Sequence, residues 1–474
     1  MQASAQQIAL GVTVAVLATV ALIVAGCSAS NIAATTATTA TTASKAVPIS
    51  ITDAPSDQVI AASLTLNSIV LTDSAGKTAS ILSAPITFEA THLDAVQVPL
   101  FTPSIPQDTY TGVALTYSNA EVAYIDPSTK KIVQATATLA NTAKTIAFTA
   151  PITIGNTTTS LLIDYLVANS VSISGSTVTV TPAFNVAAAP IPQQPTNGTN
   201  GLQCGIQGKV TALGTNNFTF TNAQGTALVI YVNASTQYQG LSGFSALAVG
   251  ALVEVDTITQ NDGTLLASRV EEQVPPNANS QMLVGPVTAV TGSPATSFTQ
   301  VVRQQIGPAT TTSPIETYTI AIASSTTFLL PGRFSNVAGG AAPFTPSFSA
   351  ATLFAGQVVS VATNGVTSNA ATAVSVALSP QTVGGTIASI ASSSGNYTVY
   401  TLTLPSGSWL ATLTGLTTVT VYANDNVQAI NSNQMAVGSS ARFNGFLFNN
   451  NGSLVLLADV QADGPGQPIG PPHP

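Results

Sequence analysis

The sequence predicts an all-β chain in which a β-sandwich is followed by three small β-barrels, behind an N-terminal signal or anchor helix. Three observations predict it. Apolar residues alternate with Thr and Ser after residue 47, as in "SLTLNSIVLTD" (63–73), "TGVALTYSNAEVAYI" (111–125) and "SVSISGSTVTVTPAF" (170–184). A period of two is the signature of a half-buried strand, and no helical pattern longer than two turns follows residue 30. Three landmarks then recur in the same order along the second half of the chain.

Composition limits what such a chain can do. At 474 residues it is too long for one ordinary domain, since domains run roughly 100–200 residues. Only 6% of residues are charged, against about 25% on average, so the surface must be polar but mostly neutral. With 45% hydrophobic residues and a net charge of −8 the chain has the means to fold. Its ten Lys and Arg are spread thinly and leave no electrostatic footprint for a phosphate backbone. A nucleic-acid partner is not expected. With 18 carboxylates in all, acid has few groups to act through, and most thermal stability is expected to persist from about pH 7 to pH 3.

The N-terminal element is read from "IALGVTVAVLATVALIVAG" (8–26), which contains no charge and runs into "VAGC", ending at Cys27. This resembles the lipobox of bacterial lipoprotein signal peptides, with residues 1–27 as signal peptide and lipobox, which implies acylation of Cys27, removal of the peptide before that Cys, and membrane attachment through the lipid. The n-region "MQASAQQ" departs from the pattern by lacking Lys and Arg. A spanning helix is the alternative, because 19 apolar residues can just cross a bilayer. The expected location is the cell envelope, most simply the outer membrane. Residues 28–46, "SASNIAATTATTATTASKA", read as a flexible Thr-rich linker. Cys204 is the second of two cysteines and reads either as a reactive thiol or as a small residue buried where a strand begins.

Residues 47–188 form the sandwich element. "ISITDAPSDQV" opens it with a strand that Pro55 terminates and Asp53 turns. Together with "THLDAVQVPL" and "IPQDTYTGVALTYSNAEVAYID", this resembles the bacterial envelope family called domain of unknown function 4382, which implies a β-sandwich on exported lipoproteins and no known activity. Asp53, Asp57, His92, Asp94 and Asp108 are the polar candidates here, with turn or capping roles as the alternative.

A Pro-rich break at 189–203 precedes the repeats, read as 204–273, 281–379 and 380–463, with a Pro/Gly-rich tail at 464–474. Each repeat opens on a Gly-led strand: "GKVTAL" at 208, "GPVTAV" at 285 and "GTIASI" at 385. Each then carries a Gly before a further strand, in "AVGALVEV" (248–255), "FAGQVVSV" (354–361) and "AVGSSARF" (436–443), and closes on a turn and a last strand. The Gly is expected to admit the tight turn that starts that strand. This order resembles the family called domain of unknown function 5666, which implies OB-like barrels. In the second repeat the stretch from "GSPATSFTQ" to "FTPSFSA" is longer, with a Pro and Gly insertion read as a surface excursion in preference to a binding loop.

Catalytic motifs are missing: there is no nucleophile elbow, zinc helix or phosphate-cradling loop before a helix. His92 and His473 are the two histidines, so a two-His metal site is not expected, and no cofactor is. Asp53 with Asp57 offers a carboxylate pair of the kind used for calcium or sugar hydrolysis. Glu254 with Asp256 offers another, read more simply as two side chains on one face of a strand, and Glu271 with Glu272 is a third pair. Trp409, Tyr422 and Phe446 read first as core residues, with an aromatic sugar platform as the alternative. The expectation is a non-catalytic envelope module that binds glycan or another envelope protein, with a structural spacer array and a carboxylate-dependent hydrolase as alternatives.

Overall fold

The computed structural model describes residues 43–53, 57–93, 98–126, 128–155, 159–190, 202–260, 262–277, 279–308, 315–331, 334, 342, 344–392, 397–430 and 435–463. Cys27, Asp94, His473, the tail and most of the 28–46 and 189–203 stretches lie outside them. Cys204 lies on a strand, Leu202–Leu213. Among the described residues no helix is long and apolar enough to cross a membrane.

Alternation in the first half builds a sandwich. Its larger sheet centres on two long antiparallel strands, Val59–Asp73 and Thr109–Ile125, flanked by Ala143–Thr153, Thr78–Ser80, Ile86–Glu89 and Ile132–Thr136. The second sheet orders Phe184–Pro190, Thr159–Tyr165, Ile49–Asp53 and Val98–Phe101, with the middle pair parallel. Large rings fill the space between them. Phe88 meets Tyr165 edge-on at 5.8 Å, and Tyr165 lies 5.1 Å from Phe184. Ser44–Ala46, at the end of the stretch read as linker, pairs with Ser104–Pro106.

The second half forms three five-stranded barrels of one topology. In the first, Leu202–Leu213, Asn217–Asn222, Ala227–Tyr231, Leu252–Thr259 and Leu265–Val274 pair in the order first, second, third, fifth, fourth and back to first. The ring closes through parallel pairing of third and fifth, Ile230 opposite Leu265. The second barrel repeats this from Gln281–Gly292 to Ala370–Leu378, with Thr319 opposite Ala370. The third runs from Gln381–Ser392 to Ser453–Asp463, with Val419 opposite Leu454. These are the OB-like barrels that the repeat pattern predicts.

The two recurring glycines have separate causes. At the Gly-led strand, a Cβ would lie 2.4 Å from the Thr221 carbonyl oxygen at Gly208, 1.9 Å from that of Val301 at Gly285 and 2.5 Å from that of Thr403 at Gly385. Real side chains cannot come that close, so the first strand crosses the second only where a side chain is absent. The other set, Gly250, Gly356 and Gly438, has φ of 94°, 106° and 91°. Each donates its N–H at 2.8 Å to the first strand, at Val210, Val287 and Ile387. Positive φ turns the chain into the fourth strand while this hydrogen bond fixes where it enters.

The sandwich and the barrels share buried surface. Ile60, Ala61, Ala123 and Ile125 of the sandwich pack with Val301 and Ile315 of the second barrel and with Leu402, Trp409 and Phe443 of the third. Leu252 and Val274 of the first barrel pack against Met282, Val284 and Ile306 of the second. The Gly263 turn of the first barrel lies against Ala46 and Pro48.

The insertion in the second repeat is part of this packing, which corrects its reading as a surface excursion. Phe348 and Leu353 are buried, and Phe334 and Phe344 stack on Tyr422, Phe446 and Phe448 of the third barrel at 5.4–5.9 Å. Four large apolar groups that would cost free energy in water find a partner face there.

Full burial of a Val, Leu or Ile side chain is worth about 1.5–3 kcal/mol, so several such residues at each junction are enough to hold the domains together. Cleavage at a protease site engineered into 191–200 is therefore expected to leave two fragments that co-elute in native size exclusion and part only in denaturant. Separate elution without denaturant would contradict the shared core.

Candidate functional site

All three described arginines are buried: Arg269 is 5% exposed, Arg303 7% and Arg442 6%. A guanidinium cannot shed its proton, so each buried one needs partners. For Arg303 and Arg442 those partners lie across domain junctions.

Arg303, at the end of the second strand of the second barrel, donates from Nε to the Ile60 carbonyl of the sandwich at 2.6 Å. Its charge lies 5.6 Å from the centre of the Trp409 ring in the third barrel, a favourable placement for a desolvated cation. The neighbouring Gln304 meets His92 Nε2 through its Nε2 at 2.8 Å. His92 Nδ1 is 2.9 Å from Glu89 Oε2.

Glu89 is 3% exposed and is saturated with donors. The backbone N–H groups of Ala62, Thr91 and His92 reach it at 2.9, 3.0 and 3.2 Å, and the Thr91 hydroxyl at 2.6 Å. Burial by itself raises a carboxyl pKa, but the His92 hydrogen bond and the charges of His92 and Arg303 outweigh it. The Glu89 carboxyl is held below its ordinary value.

Thr91, His92, Arg303 and Gln304 line a cavity of about 90 Å³ to which all four domains contribute. The sandwich supplies Thr91, His92 and Val98; the first barrel supplies Gln207, Gln224 and Glu254. Arg303 and Gln304 come from the second barrel, and Gln381, Thr382 and Asn444 from the third. Some of these polar groups are committed: Gln381 accepts from the Val358 N–H at 2.8 Å and donates to Gly356 at 2.9 Å, and Asn444 donates to Thr382 at 3.0 Å.

Behind Glu254 lies a buried charge cluster on the outside of the first barrel. Arg269 donates from Nε to Asp256 at 2.8 Å, from one terminal nitrogen to Glu254 at 2.7 Å, and from the other to Glu271. Burial would loosen the Arg269 proton, but the charges of Asp256, Glu254 and Glu271 hold it more firmly than usual. Glu254 and Asp256 share a strand face as their spacing predicts. Glu271 joins them, whereas Glu272, next along the strand, is absent from the cluster. Partial burial raises the Glu272 carboxyl.

The other residues selected from the sequence are placed as follows. Asp53 is 2% exposed and accepts from the Val167 N–H at 3.1 Å, whereas Asp57 faces Arg442 of the third barrel at 3.8 Å. The two carboxylates thus serve different contacts. Asp108 accepts from the Thr109 N–H at 2.8 Å, a turn role. Trp409 is buried and its N–H donates to the Asp57 carbonyl at 2.9 Å, so two candidates meet through the backbone. Phe446 is fully buried, and Tyr422 stacks between Phe344 and Tyr397 at 5.9 and 6.4 Å. The aromatic trio forms no shared platform; its rings face different neighbours. Sequence reading missed Glu89, Arg303, Gln304, Gln207 and Arg269. The signal that could have found two of them is the scarcity of arginine itself.

Among the described residues no group of three or more His, Cys, Asp or Glu is arranged to hold a metal ion. Residues 207–271, the first barrel, match the family described as Domain of unknown function (DUF5666). No curated protein matches the chain. Two solved structures are similar to it: drosophila Unr CSD456, at 8% identity and a TM-score of 0.12 over 53% of this chain and 94% of that one, and the glycoside hydrolase family 32 structure from Bifidobacterium adolescentis, at 10% identity and 0.12 over 88% and 67%. Likeness at that level carries no argument about fold or chemistry.

Acid acts on this chain through the junction. A carboxyl held below its ordinary value contributes stability above that value and loses it as pH falls through the folded one. The Glu89 contribution is therefore fully present above about pH 4.5 and is lost only as pH falls through the lowered folded value. Replacing Arg269 with Met is expected to cost about 3–5 kcal/mol at pH 7, because three carboxylates stay buried without their cation. Urea midpoints of the two proteins at pH 7 decide it; a deficit under about 1 kcal/mol would contradict the cluster's role.

Proposed function

We propose that this chain is a non-catalytic, lipid-anchored protein of the bacterial cell envelope that binds a sugar unit in the cavity where its four domains meet. The observation that carries the reading is the cavity's lining. Gln224 and Gln304 present neutral amides from two barrels, and Asn444 with Thr382, bonded to each other, adds an amide and a hydroxyl from the third, the groups that exchange hydrogen bonds with sugar hydroxyls without charge. The lipobox-like "VAGC" and the Thr-rich stretch after it support a tether. So does the resemblance of residues 47–188 to domain of unknown function 4382.

Convergence of four domains on one cavity favours binding over a spacer, because reach requires domains that meet end to end. Hydrolysis by a carboxylate pair needs two carboxyl groups flanking the sugar bond. Glu254 is the one carboxylate lining this cavity among the described residues, and Arg269 and Gln207 occupy its oxygens.

A glycan array probed with a soluble form beginning at Ser28 is expected to give specific signals that weaken at least tenfold in the Gln224→Ala, Gln304→Ala double variant. Equal signals from the variant would overturn the cavity reading. In parallel, Cys27→Ala is expected to abolish metabolic lipid labelling. Native protein that carries no label and retains residues 1–26 by mass spectrometry would replace the lipid with a spanning anchor.

A further inference from the structure

His92 is the one histidine among the described residues, and it stands between an acid and an amide where the sandwich meets the second barrel. Its Nδ1 lies 2.9 Å from Glu89 Oε2, and its Nε2 lies 2.8 Å from Gln304 Nε2. Glu89 cannot turn away, because the backbone N–H groups of Ala62, Thr91 and His92 and the Thr91 hydroxyl hold its two oxygens. Held below its ordinary value, it is a carboxylate over the whole range in which imidazoles titrate, roughly pH 5–8. A carboxylate only accepts, so Nδ1 carries its hydrogen whether the ring is neutral or charged. The proton that comes and goes is therefore the one on Nε2, which faces Gln304.

Gln304 can follow that proton. Its backbone is fixed on the short strand Gln304–Ile306, opposite Val284. Its side chain lines the cavity and makes no hydrogen bond besides the one to His92 among the described residues. A carboxamide has an acceptor on one side and donors on the other, and the two sides have nearly the same shape. A neutral ring with a bare Nε2 requires the amide nitrogen beside it, the arrangement present here. A charged ring donates from Nε2 and requires Oε1 in that place, which half a turn about the last side-chain bond supplies. The atom turned away from His92 then changes from the oxygen to the nitrogen.

We propose that His92 and Gln304 form a proton-driven polarity switch in the wall of the cavity: with His92 neutral, Gln304 offers the cavity an acceptor, and with His92 charged it offers a donor. The consequence for a ligand rests on the sugar-binding reading above. Acidification favours sugar groups that only accept, such as acyl carbonyls, over hydroxyls that can donate. The charged groups around the cavity set the balance. Glu89 of the sandwich and Glu254 of the first barrel favour the charged ring, and Arg303 of the second barrel, charged at every pH of interest, opposes it. The third barrel faces the cavity with Gln381, Thr382 and Asn444, all neutral.

The test uses the detergent-purified full chain carrying His473→Gln, so that His92 is its one histidine, with isotope-labelled nitrogen in the histidine ring and the glutamine amides. Nitrogen NMR from about pH 8 to pH 5 is expected to show Nε2 taking up the proton while Nδ1 stays protonated. The Gln304 amide, identified by its loss in Gln304→Met, is expected to change at the same midpoint. Gln304→Glu puts a group that only accepts beside Nε2 and is expected to raise that midpoint by about one pH unit or more. An amide that ignores the titration overturns the switch, as does a ring that stays in one state across the range, a titrating Nδ1, or a midpoint that Gln304→Glu leaves in place. The amide titration is read with the junction unsubstituted and decides the matter if the Gln304→Glu variant fails to fold. Glycan arrays with the same chain at the two ends of the range are expected to raise the signal of N-acetylated sugars over their hydroxyl counterparts at least threefold on acidification. An unchanged ratio overturns the switch's bearing on the ligand. No signal at either end overturns the sugar reading and leaves the switch to the resonances, which need no ligand.

Discussion

Burying a guanidinium is the constraint around which the domains are arranged. An isolated charge in a protein interior costs far more than any single contact returns, so it is kept only where several partners meet. For Arg303 those partners lie in other domains: the Ile60 carbonyl in the sandwich and the Trp409 ring in the third barrel. Arg442 faces Asp57 across another junction. Removing a domain would therefore strip a buried charge of its partner as well as expose apolar surface. The six lysines, by contrast, are nowhere among the buried residues. The three described arginines lie inside.

The fold was legible in the sequence to the extent that it depends on local rules. Alternation of Val, Ile and Thr with polar residues reports strands, and recurring glycines report barrels. Gly250 and its counterparts turn the chain at positive φ. Gly208 and its counterparts have a different reason, the close approach of a carbonyl, which a sequence shows only as a repeated letter. Closure through third and fifth strands follows from the same order of elements in each copy.

What the sequence could not convey is the meeting of domains. Ile60, Val301 and Leu402 look like the core residues of three separate domains, and nothing in a period of two says that a strand buries both faces. The insertion misled for a related reason: Phe334, Phe344 and Phe348 are spaced among Gly, Ala and Pro, which read as loop. Of the site, His92 and Glu254 were noticed, but their partners were not. Glu89 sits in an unremarkable strand, and Gln304 belongs to a residue type too common in this chain to stand out. Asp57 and Trp409 were chosen for chemistry and turn out to be joined by a backbone hydrogen bond.

The measurement that bears most directly on this account is small-angle X-ray scattering of residues 43–463. A single compact body of this length has a radius of gyration of about 22 Å, and the account predicts a value near that, unchanged between low and high salt. Four domains strung end to end would give well over about 30 Å, and that result would contradict the convergence on which the cavity, and every reading of function drawn from it, depends.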